Sequence, residues 1–351
     1  MKIYIVLNEN KPKDASDVHI AMEYIKEKKI ISDYEICSYI YELNTKSTQM
    51  VISEICNNVI DGGFGIVLWM HPQRMKLSKK DLEKLENLKN KKIIFGLWDG
   101  DIFGKIIKHI PKTLIQFGKI SDATFVQGLG YFSEKMKQIG SKNVEFIPAV
   151  GDKNRFDVEN KETECKYDAV LIGNNYKSRL SFMDMKGAKL RRKIVELFSN
   201  ELGDRFAVFG LGWEKYNSNQ GRLDYEKQQE VYYNAKIAIG TNNPSAKYYF
   251  SDRLPIAMLS GKPVVYNYEE GLEDFFKDTG VFLYKDEYEA LNIVRKLLKE
   301  KDEKFEEYKK INSEFSKSKL IMEYLIEYMV TYLISLYRNT KKPINPWISE
   351  L

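Results

Sequence analysis

The sequence predicts an α/β protein built from two doubly wound domains, each a parallel sheet covered by helices on both faces. Three observations carry that prediction. Short β-branched, apolar runs alternate with helix-period segments almost throughout the chain. The alternation pauses once, in the polar stretch PAVGDKNRFDVENKETECK that begins at Pro148, and then restarts. A length of 351 residues is enough for two separate cores.

In the first half, strands are expected at 2–7 (KIYIVL), 65–69 (GIVLW), 92–97 (KIIFGL), 122–126 (DATFV) and 143–147 (NVEFI). Helical patterns lie between them near 17–29, 47–59, 78–90 and 131–139. Runs that are apolar on both faces fit strands buried in a parallel sheet rather than half-exposed ones. After the polar pause, strands are expected at 168–172 (DAVLI), 205–209 (RFAVF), 235–239 (AKIAI), 263–266 (PVVY) and 280–283 (GVFL). Helices are expected at 187–199, 224–233, 253–260, 269–277 and 286–299. Two more, about 302–316 and 319–338, end the chain. In such sheets ligands bind beyond the carboxyl ends of the strands, so a cleft between the two domains is the default site.

Composition narrows the class. Hydrophobic residues make up 43 % and charged residues 30 %, the balance of an ordinary soluble globular protein. The net charge of +5 comes without the Lys/Arg stripe of a dedicated nucleic-acid binder. It fits scattered solvated lysines, or an anionic small molecule held by a few arginines. Cys37, Cys56 and Cys165 are far apart and form no CxxC pair, which argues for a reducing compartment and against a zinc or disulfide framework. The N-terminal apolar run is too short for a signal peptide. In 320–337, Glu323 and Glu327 interrupt the apolar residues four apart, the pattern of an amphipathic helix packed on protein rather than a membrane span. The expected location is the cytoplasm.

The chemistry-bearing residues gather at strand ends. In SDRLPIAMLSGKPVV (251–265), Asp252 is expected as an N-cap and Pro255 sits in the first helical turn, where a missing N–H costs nothing. Gly261 ends that helix and Pro263 opens the next strand. The N–H groups of Arg253 and Leu254 are then expected free beside a guanidinium, which suits a phosphate or diphosphate. A plain capped helix with Arg253 in a surface ion pair fits the same spacing. LIGNN (171–175) places Gly173 where backbone approaches a ligand closely, followed by Asn174 and then Arg179. VFGLGW (208–213) supplies Gly210, Gly212 and Trp213; the indole either stacks a flat base or plugs its loop against the core. AIGTNN (238–243) adds Thr241 and Asn242.

The first half contributes His71 in LWMHPQR, and Asp99 and Asp101 around Gly100 in GLWDGD. A carboxylate or imidazole just past a strand is placed to act as general base. An Asx-type turn accounts equally well for the two aspartates. No P-loop, GxSxG, HExxH or kinase signature is present. The segment after the first strand, VLNENKPKD, has no glycine, which speaks against a dehydrogenase.

In order and spacing, YDAVLIGNNYKSR, FAVFGLGW, VYYNAKIAIGTN and YYFSDRLPIAMLSGKPVV resemble the carboxyl domain of GT-B glycosyltransferases, most nearly the CgeB-like branch of the glycosyl transferase group 1 type. The likeness covers about 167–300. It implies the GT-B fold: a Rossmann-like acceptor-side domain (1–155), a Rossmann-like nucleotide-sugar domain (156–310), and final helices (311–351) that cross back onto the first domain. It also implies a nucleotide-sugar donor, a UDP-sugar first among them, used as co-substrate with no metal required. Carried over by position, Gly173 and Asn174 fall near the diphosphate and sugar, Gly210 to Trp213 near the base, and Ser251 to Arg253 at the diphosphate. One departure stands out: the ribose-binding glutamate of that branch falls on Ile256, and its partner eight residues earlier on Tyr248.

The resulting expectation is a glycosyltransferase moving a sugar to a hydroxyl acceptor: a polysaccharide, a protein or a hydroxymethylated base in DNA. Asp99 or His71 would be the base or acceptor-orienting group. Arg253, Arg179, Thr241 and Asn242 would hold the donor. A non-catalytic sugar-nucleotide binder and a nucleotide-sugar epimerase of the same fold are the alternatives.

Overall fold

A computed structural model describes residues 1–105, 107–157, 164–177 and 184–348. The chain divides into two compact units, Met1–Pro148 with Met322–Leu351, and Ala149–Ile321.

The first unit is a six-stranded, all-parallel sheet of β1 (Lys2–Leu7), β2 (Asp33–Ser38), β3 (Ile66–Met70), β4 (Ile94–Asp99), β5 (Ala123–Val126) and β6 (Val144–Phe146), in the order β2-β1-β3-β4-β5-β6. All five residues of β3 are buried, as a strand covered on both faces requires. The strand β2 is absent from the reading of the sequence. It mixes Asp33, Glu35 and Ser38 with apolar residues because it lies at the sheet edge and is only partly covered. The helix Lys112–Ile120 is also unforeseen; it is nine residues long and follows Pro111 directly. By contrast, the helix Lys79–Lys89 starts on a capping box, in which Ser78 Oγ accepts from Asp81 N and Asp81 Oδ2 accepts from Ser78 N.

The last helix, Met322–Arg338, packs against Ser16–Glu27 and β4 in this unit. Lys28 pairs with Glu327 at 2.8 Å, and the Tyr332 and Tyr328 hydroxyls donate to Glu145 at 2.8 and 3.3 Å. Leu333 fills the space over Gly96, where a Cβ would come within 2.7 Å of its methyl. Among the described residues no helix is long and apolar enough to cross a membrane.

The second unit holds β7 (Tyr167–Ile172), β8 (Phe206–Phe209), β9 (Ala235–Gly240), β10 (Val264–Asn267) and β11 (Val281–Tyr284), all parallel in the order β11-β10-β9-β7-β8. One face is closed by the helices Lys186–Leu202 and Glu287–Leu297 over Leu171, Val208, Ile239 and Val265. The other is closed by Arg253–Leu259 over Val170, Ala238, Val264 and Tyr266. The helix expected at 269–277 shrinks to Leu272–Phe275, because Gly271 takes φ +89° just before it.

The reading of the sequence divides the chain at 155 and 310, whereas the contacts divide it near 148 and 321. The helix Asp302–Lys319 packs on Arg253–Leu259, with Asn312 accepting from Gly280 N and donating to Lys262 O, both at 2.7 Å. Only the final helix therefore returns to the first unit. Both sheets share one topology: the chain leaves the first strand for a neighbour on one side, then resumes on the other. The switch points, where such folds bind ligands, lie between β1 and β3 and between β7 and β9.

Candidate functional site

At the β7/β9 switch point the deciding residue is one the sequence did not single out. Arg191, on the helix Lys186–Leu202, is only 6 % exposed. Its Nε donates to Thr241 Oγ1 at 2.6 Å, Nη2 to Thr241 O at 2.7 Å and Nη1 to Asn174 O at 2.9 Å. The guanidinium thereby bolts the end of β7 to the end of β9. Every acceptor is a neutral oxygen, and among the described residues no carboxylate pairs with it. Burial pushes its pKa down to about 10, and the positive charge of Arg253 acts in the same direction. A signal existed: in AKLRRKIV the apolar stripe Ala188–Arg191–Ile194–Val195 puts a charge at an inward position, where lysines and arginines almost never sit unpaired.

The loops around Arg191 are closely fitted. Gly173 has no Cβ, which would lie 3.1 Å from the Arg191 guanidinium. Gly210 takes φ +139°, and a Cβ there would meet Gly173 O at 2.5 Å. Asn174 Oδ1 accepts from Leu211 N at 2.9 Å, and Leu211 O accepts from Asn175 N at 2.8 Å. Trp213 is fully buried and its Nε1 donates to Gly173 O at 2.7 Å. The indole is therefore the plug that holds the loop on the core, and it is enclosed rather than open to stack a base. The exposed apolar side chain of this loop is Leu211, between Gly210 and Gly212 (φ +85°).

Thr241 and Asn242 are buried as well. Asn242 N donates to Asn267 Oδ1 at 2.6 Å, Asn242 Nδ2 to Tyr249 O at 2.9 Å, and Tyr266 Oη to Asn242 Oδ1 at 2.6 Å. Tyr266 Oη in turn accepts from Ser251 N at 2.9 Å, so Ser251 is tied to the same network. The helix Arg253–Leu259 begins differently from the expected pattern. Asp252 has helical dihedrals (φ −51°, ψ −26°) and caps nothing with its side chain. Leu254 N is not free but donates to Ser251 O at 3.1 Å. Arg253 remains half-exposed, 3.8 Å from the Asp252 carboxylate, and its buried Nε has no hydrogen-bond partner among the described residues. Ile256 is wholly enclosed in the core beside Leu254 and Met258. Arg179 lies outside the described residues.

In the first unit, His71 and Asp99 follow β3 and β4. His71 adopts φ +51°, an uncommon backbone for a residue with a side chain. Tyr39 Oη donates to its carbonyl at 2.7 Å, and its ring packs on Trp98 at 5.0 Å. Gly100 N donates to Nδ1 at 3.4 Å, which leaves the neutral ring's proton on Nε2, while Asp99 Oδ2 stands 3.8 Å from Nδ1. Asp99 is fully buried, accepting from Gln73 Nε2 at 2.8 Å and from Asp101 N at 3.0 Å. The structure thus separates the two candidates: His71 reaches solvent and Asp99 stands behind it. A further buried carboxylate, Glu9, follows β1 and accepts from Ala15 N, His19 Nε2 and Ser38 Oγ at 2.7–3.0 Å.

Residues 190–318 match the family model described as glycosyl transferase-like. No curated protein sequence matches the chain. Among solved structures, HepE of Anabaena in complex with UDP is 13 % identical, with a TM-score of 0.58 over 95 % of this chain and 100 % of that one. A glycosyltransferase from Rickettsia africae is 13 % identical, with a TM-score of 0.60 over 96 % and 98 %. The β-glucosyltransferase of phage T4 is 13 % identical, with a TM-score of 0.53 over 96 % and 99 %. The likeness of these structures establishes the GT-B fold for this chain. The family match lies within the second unit of that fold, over 190–318.

Proposed function

We propose that the protein transfers a sugar from a UDP-sugar to a hydroxyl acceptor, with the donor diphosphate at the β7/β9 switch point. The observation that carries this is Arg191: a buried guanidinium with no carboxylate partner among the described residues, next to a half-exposed Arg253 with an unsatisfied Nε. Two cations beside the carboxyl ends of a parallel sheet favour a dianionic ligand. Support for the nucleotide comes from HepE, solved with UDP and with UDP-glucose.

In this reading Arg253 meets the diphosphate and offsets the charge that develops as it leaves, so no metal is needed for that step. Arg191 acts at one remove, through Thr241 and Asn174, as a positioning residue. Gly173 lets the backbone approach the ligand. His71 is the group that orients the acceptor hydroxyl through Nε2, with Gly100 N holding Nδ1. The acceptor is a polysaccharide, a protein or a hydroxymethylated base in DNA. One observation favours a second reading, a sugar-nucleotide binder without transfer: Ile256 lies in the core where the resemblance expects a ribose-binding carboxylate.

The test is thermal unfolding with UDP, followed by a panel of UDP-sugars scored for hydrolysis. A ligand at 100 times its Kd adds about 2.7 kcal/mol to stability, a plain upward shift in Tm. Arg253→Ala is expected to weaken UDP by about 10- to 100-fold, the loss of about 1.5–3 kcal/mol for a charge-assisted contact. An unchanged Tm with every common nucleotide overturns the reading. Binding without hydrolysis or transfer selects the second one.

A further inference from the structure

The second unit holds another concavity, at the carboxyl ends of β10 and β11, that borders the Arg191 crevice at Asn267. Its volume of about 460 Å³ lies within the usual span of small-molecule sites, about 300–1,000 Å³. One wall is the first two turns of the helix Lys186–Leu202, and the opposite wall is the end of β11.

The charges on these walls are unevenly satisfied. Lys193 pairs with Glu287 at 3.0 Å. Asp286 is committed to capping the next helix, accepting from Tyr288 N and Glu289 N. Lys186, Lys189 and Lys285 line the same cavity and make no ion pair among the described residues, Lys285 lying over the Tyr268 ring at 5.0 Å.

Glu269, also on the lining, is of opposite character. It is 8 % exposed, Oε1 accepts from Asn267 Nδ2 at 3.0 Å, and Oε2 accepts from Ser245 Oγ. Ala246 N is a third donor to this carboxylate, whose two oxygens have room for a fourth. Burial pushes this carboxyl up to about 7, against its hydrogen bonds from Ser245, Asn267 and Ala246 and the charge of Lys186. A bare inorganic anion satisfies the lysines and is repelled by Glu269. A plain sugar satisfies Glu269 and leaves the lysines unanswered. Only a ligand with an anion at one end and hydroxyls at the other meets both.

We propose that this cavity binds a small phosphate monoester bearing hydroxyls, a sugar phosphate by class, with its phosphate among Lys186, Lys189 and Lys285 and a hydroxyl donating to Glu269. The site adjoins the nucleotide-sugar crevice at Asn267, and the proposal does not depend on that reading being right.

Isothermal titration of the full chain with glucose 6-phosphate at low salt, with and without saturating UDP, tests it. One molecule per chain should bind in both conditions. The double variant Lys186→Ala/Lys189→Ala should weaken it at least tenfold, in line with the loss of charge-assisted contacts. Glu269→Gln should weaken glucose 6-phosphate several-fold and leave inorganic phosphate no weaker. The exposed lysine pair decides the matter if the buried variant fails to fold. No binding at millimolar ester overturns the proposal, as does equal affinity in the lysine variant. Inorganic phosphate binding as tightly as the ester, or displacement of the ester by UDP, overturns it too.

Discussion

Arg191 and Trp213 show how single residues fix the crevice. Arg191 uses all three guanidinium nitrogens on neutral oxygens of two strand ends, so its charge stays available to the ligand space beside it. Trp213 anchors the neighbouring loop through one hydrogen bond to Gly173 O and complete burial. Trp213→Phe should cost about 2 kcal/mol, since it empties volume in a closed core and leaves that carbonyl unpaired. Leu211→Ala, two residues away but 54 % exposed, should change stability by less than about 0.5 kcal/mol. Chemical denaturation of the two variants side by side checks the contrast. Most of the polar residues at these strand ends were legible in the sequence, because Gly, Asn and Thr past an apolar run mark a carboxyl end. What they do there was not. Spacing does not tell an indole facing a ligand from one facing the core, and it read Leu254 N as free when Ser251 O takes it.

At the scale of elements, the strand ends interlock through glycine. The 210–213 loop reaches the 173–175 loop only because Gly210 has φ +139° and no Cβ. Gly210→Ala should therefore destabilise by about 2–4 kcal/mol, from backbone strain plus a clash with Gly173 O, and should weaken UDP in parallel. Thermal unfolding with and without UDP separates the two effects. Elements buried on both faces were legible from their apolar runs, as β3 and β7 were. The edge strand β2 was not, because a half-covered strand carries polar residues that dilute the pattern. The helix Asp302–Lys319 was legible as a helix but not in its allegiance. Its sequence is polar, and the contacts that bind it to the second unit pass through Asn312 and Ser316, which no periodicity signals.

At the scale of the whole molecule, the first unit is assembled from two stretches of chain and the second from one. The link out and the link back lie side by side, with Gly151 N donating to Leu320 O at 3.0 Å. A fragment of residues 149–321 should fold on its own with a single cooperative transition. A chain stopped after Ile321 should keep that transition while the first unit loses cooperativity, because Leu325, Met329 and Leu333 no longer cover the sheet. Calorimetry of the two fragments beside the full chain reads both outcomes.

That interleaving has a consequence during synthesis. At about 5–20 residues per second, the stretch 149–321 takes about 9–35 s to make, during which the first sheet waits for its last helix. The second unit can close its core first, although it comes later in the chain. The face awaiting Met322–Arg338, including the groove at Gly96, stands open to solvent for that interval. A nascent chain of this protein is therefore most exposed to aggregation just before Met322–Arg338 is made, and the order in which its halves mature is the reverse of the order in which they begin.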